Sequence, residues 1–191
     1  MANQSTVIGI AVVTFLVGLG AGYTIFQSSF QPEMTTSMQT ELENYKAAER
    51  LAMQHLETFD ELDFVMFTNQ DWDGFKESHS EDIIVYWPDG SKTVGLPRHI
   101  EDLDAMFGYA PDTRIHEHPI KIASGEWTAV VGIMEGTFTE PMSLPDGSVI
   151  EPTGKAFKLT MCTVGHWKNG VMIEEYLFWD NQTFMQQIGL A

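Results

Sequence analysis

Three carboxylates near the C-terminus are the residues whose types and spacing could do acid–base chemistry. The stretch EEYLFWD begins with Glu174 and Glu175 and ends with Asp180. A buried Glu has a raised pKa and can act as a general acid or base, so Glu175 and Asp180 are the candidate catalytic residues. The sequence favours an alternative, in which both glutamates lie in water at the rim of a pocket. Asp180 would then cap the helix that follows it.

Histidines raise the question of a metal site. His116 and His118 lie two residues apart, so they would face the same side of a strand, and zinc accepts imidazole nitrogens. A third ligand would have to come from elsewhere, with His166 as one option, and the spacing does not require it. The favoured interpretation places these histidines at the surface or at a pocket rim. We therefore expect no metal and no other cofactor.

An apolar segment near the N-terminus precedes the helices and strands that must position these residues. Residues 7–26, VIGIAVVTFLVGLGAGYTIF, carry no charged side chain. A helix of about 20 such residues spans about 30 Å, the thickness of a bilayer core. The segment is longer than the apolar part of a signal peptide and lacks a basic residue before it. We therefore expect residues 1–27 to form an uncleaved single-pass anchor. Gly18 and Gly22 have the spacing at which two membrane helices pack closely.

The charge of the chain limits where the domain after the anchor can lie and what it can bind. No Lys or Arg precedes Lys46, so the positive-inside bias favours a domain outside the cytoplasm. The chain has 27 acidic and 10 basic residues and a formal charge of −17, which excludes nucleic acid as a partner. Residues 28–40 are polar and predict a linker. Residues 41–191 predict one folded domain.

Helices precede strands in that domain. Apolar residues at helical spacing predict a helix from residue 41, a second helix after a bend, and a third over residues 96–107. A short strand, DIIVYW, comes before the third helix, and four long β-type runs come after it. Asn169-Gly170 predicts a hairpin between the last two runs. The sequence therefore indicates an α+β fold in which a curved antiparallel sheet wraps around helices and leaves an open end for a pocket.

This order of elements resembles the nuclear-transport-factor-2-like fold, and within it the SnoaL-like polyketide cyclases. The segments WDGFKESHSEDIIVYWPDG, GHWKNGVMIEEYLFWD and FMQQIGL carry the resemblance. It implies a cone-shaped domain whose acid–base aspartate lies on the last long strand, with a helper histidine and an asparagine. Those three positions fall on Leu177, Thr163 and Trp87, and none of the three residues matches.

The face of the last strand that lines the pocket depends on the hairpin. If the Asn-Gly turn carries a one-residue bulge, Glu175, Leu177 and Trp179 point inward with Met161 and Thr163 of the partner strand. A plain two-residue turn would bring Tyr176 and Phe178 inward instead. In either case the pocket, which also includes Trp87, is largely apolar.

These observations lead to three hypotheses about function. The favoured one is a membrane-anchored domain that binds a small apolar ligand or a partner protein without the cyclase mechanism. The second is a cyclase, isomerase or hydratase that uses a different acid or base. The third is an accessory subunit of a membrane complex, and self-association as a homodimer through the sheet is also expected.

The anchor generates the first prediction. Because residues 7–26 are uncharged and no small-residue cleavage site follows them, the protein purified from its own membranes should retain them. Intact-mass measurement checks this, and a mass that corresponds to a chain beginning after Phe26 would contradict it.

Overall fold

A computed structural model describes residues 34–144 and 146–191. The chain divides into two compact units, residues 1–44 and 45–191, and the second contains the sheet. The predicted anchor, residues 7–26 with Gly18 and Gly22, lies outside the described residues. Within the described part of the chain, no helix is both long and apolar enough to cross a membrane.

The first described helix, α1, spans Thr36–Glu61. Thr35 accepts a hydrogen bond from the backbone N–H of Met38 and so caps the helix. Neither Gly nor Pro occurs between Thr36 and Glu61, so the helix can begin before residue 41. The prediction that residues 28–40 form a linker is therefore wrong for residues 36–40.

No separate second helix follows α1. The helix widens into a π-helical segment, Leu62–Phe67, and a 3-10 turn follows at Gly74–Glu77. A π-helical turn adds a residue to the helical repeat, which changes the faces on which the next side chains lie. The π-helical segment contains Asp63, whose carboxylate lines the cavity of the candidate site.

The remaining elements are two strands, a helix, seven consecutive strands and a closing helix. They are β1 (His79–Tyr86), β2 (Lys92–Val94), α2 (Leu96–Tyr109), β3 (Arg114–Ile115), β4 (Ile120–Ser124), β5 (Trp127–Thr137), β6 (Met142–Ser143), β7 (Val149–Ile150), β8 (Ala156–Lys168), β9 (Val171–Phe178) and α3 (Asn181–Gln187). The first of the four predicted β-type runs is thus two short strands, β3 and β4. The domain is α+β, as expected.

The main sheet has the order β2-β1-β9-β8-β5-β3, with β4 also paired to β5. It is not wholly antiparallel as predicted, because β1 runs parallel to β9. These two strands lie far apart in the chain, so no tight turn constrains their directions. The parallel pair places the start of β1 beside the last long strand.

The β8–β9 hairpin has the bulge, which is one of the two alternatives that the sequence left open. Asn169 and Gly170 both have positive φ, as a two-residue primed turn requires. Trp167 pairs with Met172, but His166 pairs with Glu174, so the register shifts by one residue. Without that shift the alternate face of β9 would point into the core.

Trp167 is the largest fully buried side chain, and it joins α1 to the sheet. Its ring stacks on His55 with centroids 4.7 Å apart, and its Nε1–H donates to Thr128 Oγ1 at 2.9 Å. Phe59 lies beside it, with ring centroids 6.3 Å apart, and the same core includes Phe75, Ile83, Phe138 and Met172.

We predict that Trp167→Ala lowers the free energy of unfolding by about 3–5 kcal/mol, because it leaves a cavity and an unpaired Thr128 hydroxyl. Trp127→Ala is the matched control, since that ring is 43 % exposed. Urea unfolding of both variants measures the difference. Equal losses would contradict this account of the core.

Candidate active site

A cavity lies between the helical elements and the inner face of the sheet. Its volume is about 50 Å³, enough for a few ordered waters or the reactive part of a small ligand. Most of its wall is apolar or aromatic, but four titratable side chains also line it: Asp63, His79, His99 and Glu175.

The structure places all five pocket residues named from the sequence at this cavity. They are Trp87, Met161, Thr163, Leu177 and Trp179. Thr163 pairs with Leu177 across the β8–β9 ladder, so these two cyclase positions face the cavity without a titratable group. Asp180 does not line the cavity. Its carboxylate accepts hydrogen bonds from the backbone N–H groups of Gln182 and Thr183 and caps α3.

Glu175 lies inside the protein and not at a rim in water, which corrects the interpretation favoured from the sequence. It is 6 % exposed, whereas Glu174, on the other face of β9, is partly exposed and bonds His166 Nδ1 at 2.7 Å. The difference follows from the bulge, because it turns the face that carries Glu175 and Leu177 toward the cavity and leaves Glu174 on the opposite face.

Two buried histidines face the Glu175 carboxylate. His79 Nε2 lies 3.7 Å and His99 Nε2 lies 3.4 Å from Glu175 Oε2. His79 stands at the start of β1, which the parallel pairing with β9 brings to this side of the sheet. His99 lies on the buried face of α2, in line with Leu103.

The hydrogen bonds around His79 fix where a proton is needed. Ser78 Oγ donates its only hydrogen to the Phe75 carbonyl at 3.1 Å, so toward His79 Nδ1, at 2.9 Å, it can only accept. His79 therefore carries a hydrogen on Nδ1. If neutral, its Nε2 would present a lone pair to the Glu175 carboxylate, and neither atom has a hydrogen-bond partner. A proton between Nε2 and Oε2 removes that repulsion.

The pKa values of the cluster are displaced by burial and by mutual charge. Burial raises the pKa of Glu175, but the imidazoles of His79 and His99 outweigh it, and the pKa lies below the ordinary 4.5. The sequence argument expected a raised pKa because it did not foresee two imidazoles. Burial lowers the pKa of His99 to about 4, although the Glu175 charge opposes this shift. Near neutral pH, Glu175 is thus a carboxylate and His99 is neutral.

The same three side chains are the group among the described residues that could hold a metal ion, since their donor atoms lie within 4.8 Å of one another. Two imidazoles and a carboxylate are donors that zinc accepts. A ligating histidine normally donates its other ring N–H to an acceptor. His79 does so to Ser78, but His99 Nδ1 has no partner. The donor set therefore fits a metal only in part.

The two histidines considered first for a metal do not act together. His116 is exposed, whereas the side chain of His118 is 1 % exposed and lies between two carboxylates. Its Nδ1 is 2.7 Å from Asp60 Oδ1, and its Nε2 is 2.8 Å from Asp63 Oδ2. Asp63 in turn lines the cavity.

The cavity continues into a larger surface groove. The groove has a volume of about 600 Å³ and shares Trp87, Met106 and Trp179 with the cavity. The two indole rings stand edge to face with centroids 6.2 Å apart. A molecule larger than the cavity can therefore place its reactive end inside and the remainder in the groove.

Sequence reasoning missed Asp63, His79 and His99. His99 and Asp63 carried a local signal, since His99 has helical spacing with Leu103 and Asp63 lies four residues after Phe59. His79 carried none, because the predicted strand began at residue 82 and the β1–β9 pairing joins distant parts of the chain.

The lowered pKa of His99 predicts acid sensitivity. The unfolded state takes up a proton near pH 6.5 and the folded state only near pH 4, so stability falls as pH decreases through that window. Between pH 6.5 and about pH 5 the loss from this one group is about 2 kcal/mol. His99→Gln should reduce that dependence in urea unfolding, while His116→Gln, at an exposed position, should not. Equal slopes in wild type and His99→Gln would contradict the assignment.

Comparison with known proteins places the fold and the family. The domain is similar to a proposed SnoaL-like polyketide cyclase from Jannaschia (18 % identity, TM-score 0.65, 74 % of this chain and 95 % of that one). It is also similar to IdmH of Streptomyces antibioticus, a proposed polyketide cyclase (19 %, 0.60, 71 % and 99 %). AclR of Streptomyces galilaeus, a proposed hydroxylase, has the same fold (12 %, 0.56, 77 % and 87 %).

At these identities the structures establish the α+β nuclear-transport-factor-2-like fold and nothing finer. No curated protein matches the sequence at a significant level. A sequence profile of the SnoaL-like polyketide cyclases matches residues 57–188, which include the cavity and its four titratable side chains. The chain therefore belongs to the SnoaL-like polyketide cyclase family.

Proposed function

We propose that this protein is an enzyme that removes a proton from carbon next to a carbonyl group in a small, largely apolar molecule. The carrying observation is the buried pair of His79 and Glu175, whose facing Nε2 and Oε2 have no hydrogen-bond partner. Burying a carboxylate is costly unless it is paired, and perturbed carboxylates beside a cavity are typical of active sites.

Glu175 is the general base of the proposal. Its pKa lies below the ordinary value, so it is ionised near neutral pH, and its side chain lines the cavity. After it accepts a proton from the substrate carbon, His79 can share that proton across the 3.7 Å gap once the two side chains move together. The apolar wall excludes water and strengthens the charge interactions of the base.

The reaction class follows from this chemistry and from the neighbours. Removal of a proton beside a carbonyl produces an enolate, which can close a ring by attack on a second carbonyl or return the proton at another carbon. Structures of this fold are named as candidate polyketide cyclases and as a ketosteroid isomerase. We therefore favour cyclisation or isomerisation, with an acid–base group at Glu175 in place of one at Leu177.

Binding without turnover is the second candidate. It is favoured by the apolar side chains that fill most of the cavity wall and by Leu177 and Thr163 at the two cyclase positions. A binding protein has no need of an ionised carboxylate in that cavity, and this is why we rank it second.

We also propose that residues 7–26 tether the domain to a membrane, with the domain outside the cytoplasm. The absence of charge in that segment supports the tether. The exposed Ile120, Ile122 and Trp127 on the sheet support contact with a second copy or with a partner in the membrane.

The acid–base proposal is tested by hydrogen exchange at carbon. Purified protein in D₂O is mixed with cyclohexanone, acetophenone and methyl acetoacetate, and deuterium incorporation is followed by NMR. We expect Glu175→Gln to lower the protein-dependent rate by about two to four powers of ten, because an amide cannot take the proton.

Glu174→Gln is the matched control, since it makes the same chemical change one residue away on the opposite face, and it should retain the rate. If no compound exchanges faster with wild type than with Glu175→Gln, binding without turnover becomes the better account. Metal analysis and a repeat in EDTA complete the test, and a rate that disappears with a removed metal would replace the general base with a metal-bound hydroxide.

A further inference from the structure

Asp63 is a second carboxylate at the cavity, and the proposed function has not used it. It lies in the π-helical segment Leu62–Phe67, where the change of helical register turns it toward the cavity. Single π-helical turns within helices are frequent at functional sites. Its side chain is 14 % exposed and accepts or shares a hydrogen bond with His118 Nε2 at 2.8 Å.

A continuous line of polar contacts leads from Asp63 to the surface. His118 Nδ1 is 2.7 Å from Asp60 Oδ1, and Asp60 Oδ2 accepts from Lys121 Nζ at 2.5 Å. The His118 side chain is 1 % exposed, whereas Asp60 and Lys121 are 29 % and 34 % exposed. Each step is within hydrogen-bond distance, which is the geometry that proton transfer through side chains requires.

The charges around this line favour a retained proton. Burial raises the pKa of Asp63, the negative charge of Glu175 adds to this, and the contacts with His118 only partly offset it. Burial lowers the pKa of His118, but its contacts with Asp63 and Asp60 outweigh burial and raise it. One proton is therefore held tightly within the Asp63–His118 hydrogen bond.

The two carboxylates of the cavity differ in the direction of their pKa shifts. The pKa of Glu175 is lowered and that of Asp63 is raised. Where environments push two titratable groups apart in this way, one serves as the base and the other as the acid. Both side chains line the same cavity, so a bound substrate can contact both.

We propose that Asp63 is the second acid–base residue of the cavity, which protonates the substrate oxygen while Glu175 takes the carbon proton, and that His118 and Asp60 resupply it. The inference rests on the proposed function. Here Asp63 is a catalytic residue, and His118 and Asp60 are positioning and proton-relay residues.

The protons and electrons balance without a co-reactant. The C–H bond breaks and its proton passes to Glu175, while its electron pair forms the carbon–carbon double bond of the enol. The carbonyl π electrons move to oxygen, which bonds to the proton that leaves Asp63. His118 is then neutral, with a hydrogen on Nδ1 only. When its ring turns over, Nδ1–H faces Asp63 and the bare Nε2 faces Asp60, through which solvent returns one proton, so the pair again holds the proton that it gave up. Glu175 returns its proton to the product or to water.

A structural role for the same contacts is the alternative. In that case the hydrogen bonds of His118 only hold α1 and the π-helical segment against the chain before β4. Replacing His118 would then lower the free energy of unfolding and leave the rate of the reaction unchanged. The two roles differ in the pH dependence of turnover and in the response to added buffer, because fastening involves no proton transfer.

The test uses the exchange assay with Asp63→Asn and His118→Gln, and with Asp112→Asn as the matched control. Asp112 is a carboxylate whose bonds to Thr137 N and Oγ1 are purely structural. We expect Asp63→Asn to lower kcat by about a hundredfold with KM changed less than threefold. His118→Gln should lower kcat by at least tenfold, and Asp112→Asn should leave it unchanged.

The rate–pH profile supplies the second readout. The acid form of Asp63 is needed, so the wild-type rate should fall as pH rises through the raised pKa of the Asp63–His118 pair, and Asp63→Asn should lose this alkaline limb. The charged groups that face the pair are Glu175 and His79 on the cavity side and Asp60, with Lys121 behind it, on the outer side. Glu175 sets the acid limb, which Asp63→Asn should retain.

Asp60→Asn keeps the test decisive if the buried variants fail to fold. It cuts the outer link and leaves the cavity untouched, so kcat should fall about tenfold in dilute buffer and recover when imidazole buffer is added. The relay would be overturned if Asp63→Asn kept the wild-type kcat and the alkaline limb. It would also be overturned if the Asp60→Asn rate did not rise when imidazole buffer is added. Full activity in Glu175→Gln would instead overturn the proposed function, so the two failures are distinguishable.

Discussion

The buried charge of Glu175 is the constraint on which the arrangement of the site depends. An isolated carboxylate in an apolar interior costs several kcal/mol, even after the protein relaxes around it. His79 and His99 reduce that cost from two directions, one from the start of β1 and the other from α2. The parallel pairing of β1 with β9 and the placement of α2 over the sheet are therefore what make a carboxylate tolerable at this position of β9. Removal of either imidazole would leave the other paired with a charge that it only partly compensates.

The bulge in the β8–β9 hairpin decides which carboxylate is buried. Side chains on a strand alternate between faces, so a shift of one residue exchanges Glu175 with Glu174. The Asn169-Gly170 turn alone would pair the strands without the shift. The register change after Trp167 and Met172 satisfies two demands at once: both of those side chains reach the core, and Glu175 reaches the cavity. A local irregularity thus joins the packing of the fold to the chemistry of the site.

Local patterns predicted the parts of this protein that local forces determine. The hairpin and the Asp180 cap follow from turn chemistry. Alternation puts Glu175 and Leu177 on one face of β9, but the sequence left open whether a bulge turns that face inward, and the structure shows that it does. The cluster around Glu175 could not be predicted, because it needs a parallel contact between strands that the chain joins only through distant elements. The same limit applies to Asp63, because no residue type marks the π-helical turn that sets where its side chain points. It also applies to His118, for which the sequence favoured a position at the surface or at a pocket rim. A titratable residue on a predicted apolar helix face, such as His99 or Asp63, is the local pattern that indicates such a site.

The family resemblance gains a physical meaning from this geometry. Successive residues on one face of a strand lie about 7 Å apart. A carboxylate at Glu175 is therefore displaced by that distance, toward the hairpin turn, from the position where the related cyclases carry their acid. Leu177 and Thr163 leave the former position apolar, while His79 and His99 supply the polar contacts that the new position requires. If Glu175 is the base, as proposed, the reacting carbon lies that distance nearer to the hairpin turn than it would beside an acid at the Leu177 position. A substrate that fits this site would then differ in shape from one that fits relatives with an acid there, because its reactive end has to reach farther along β9.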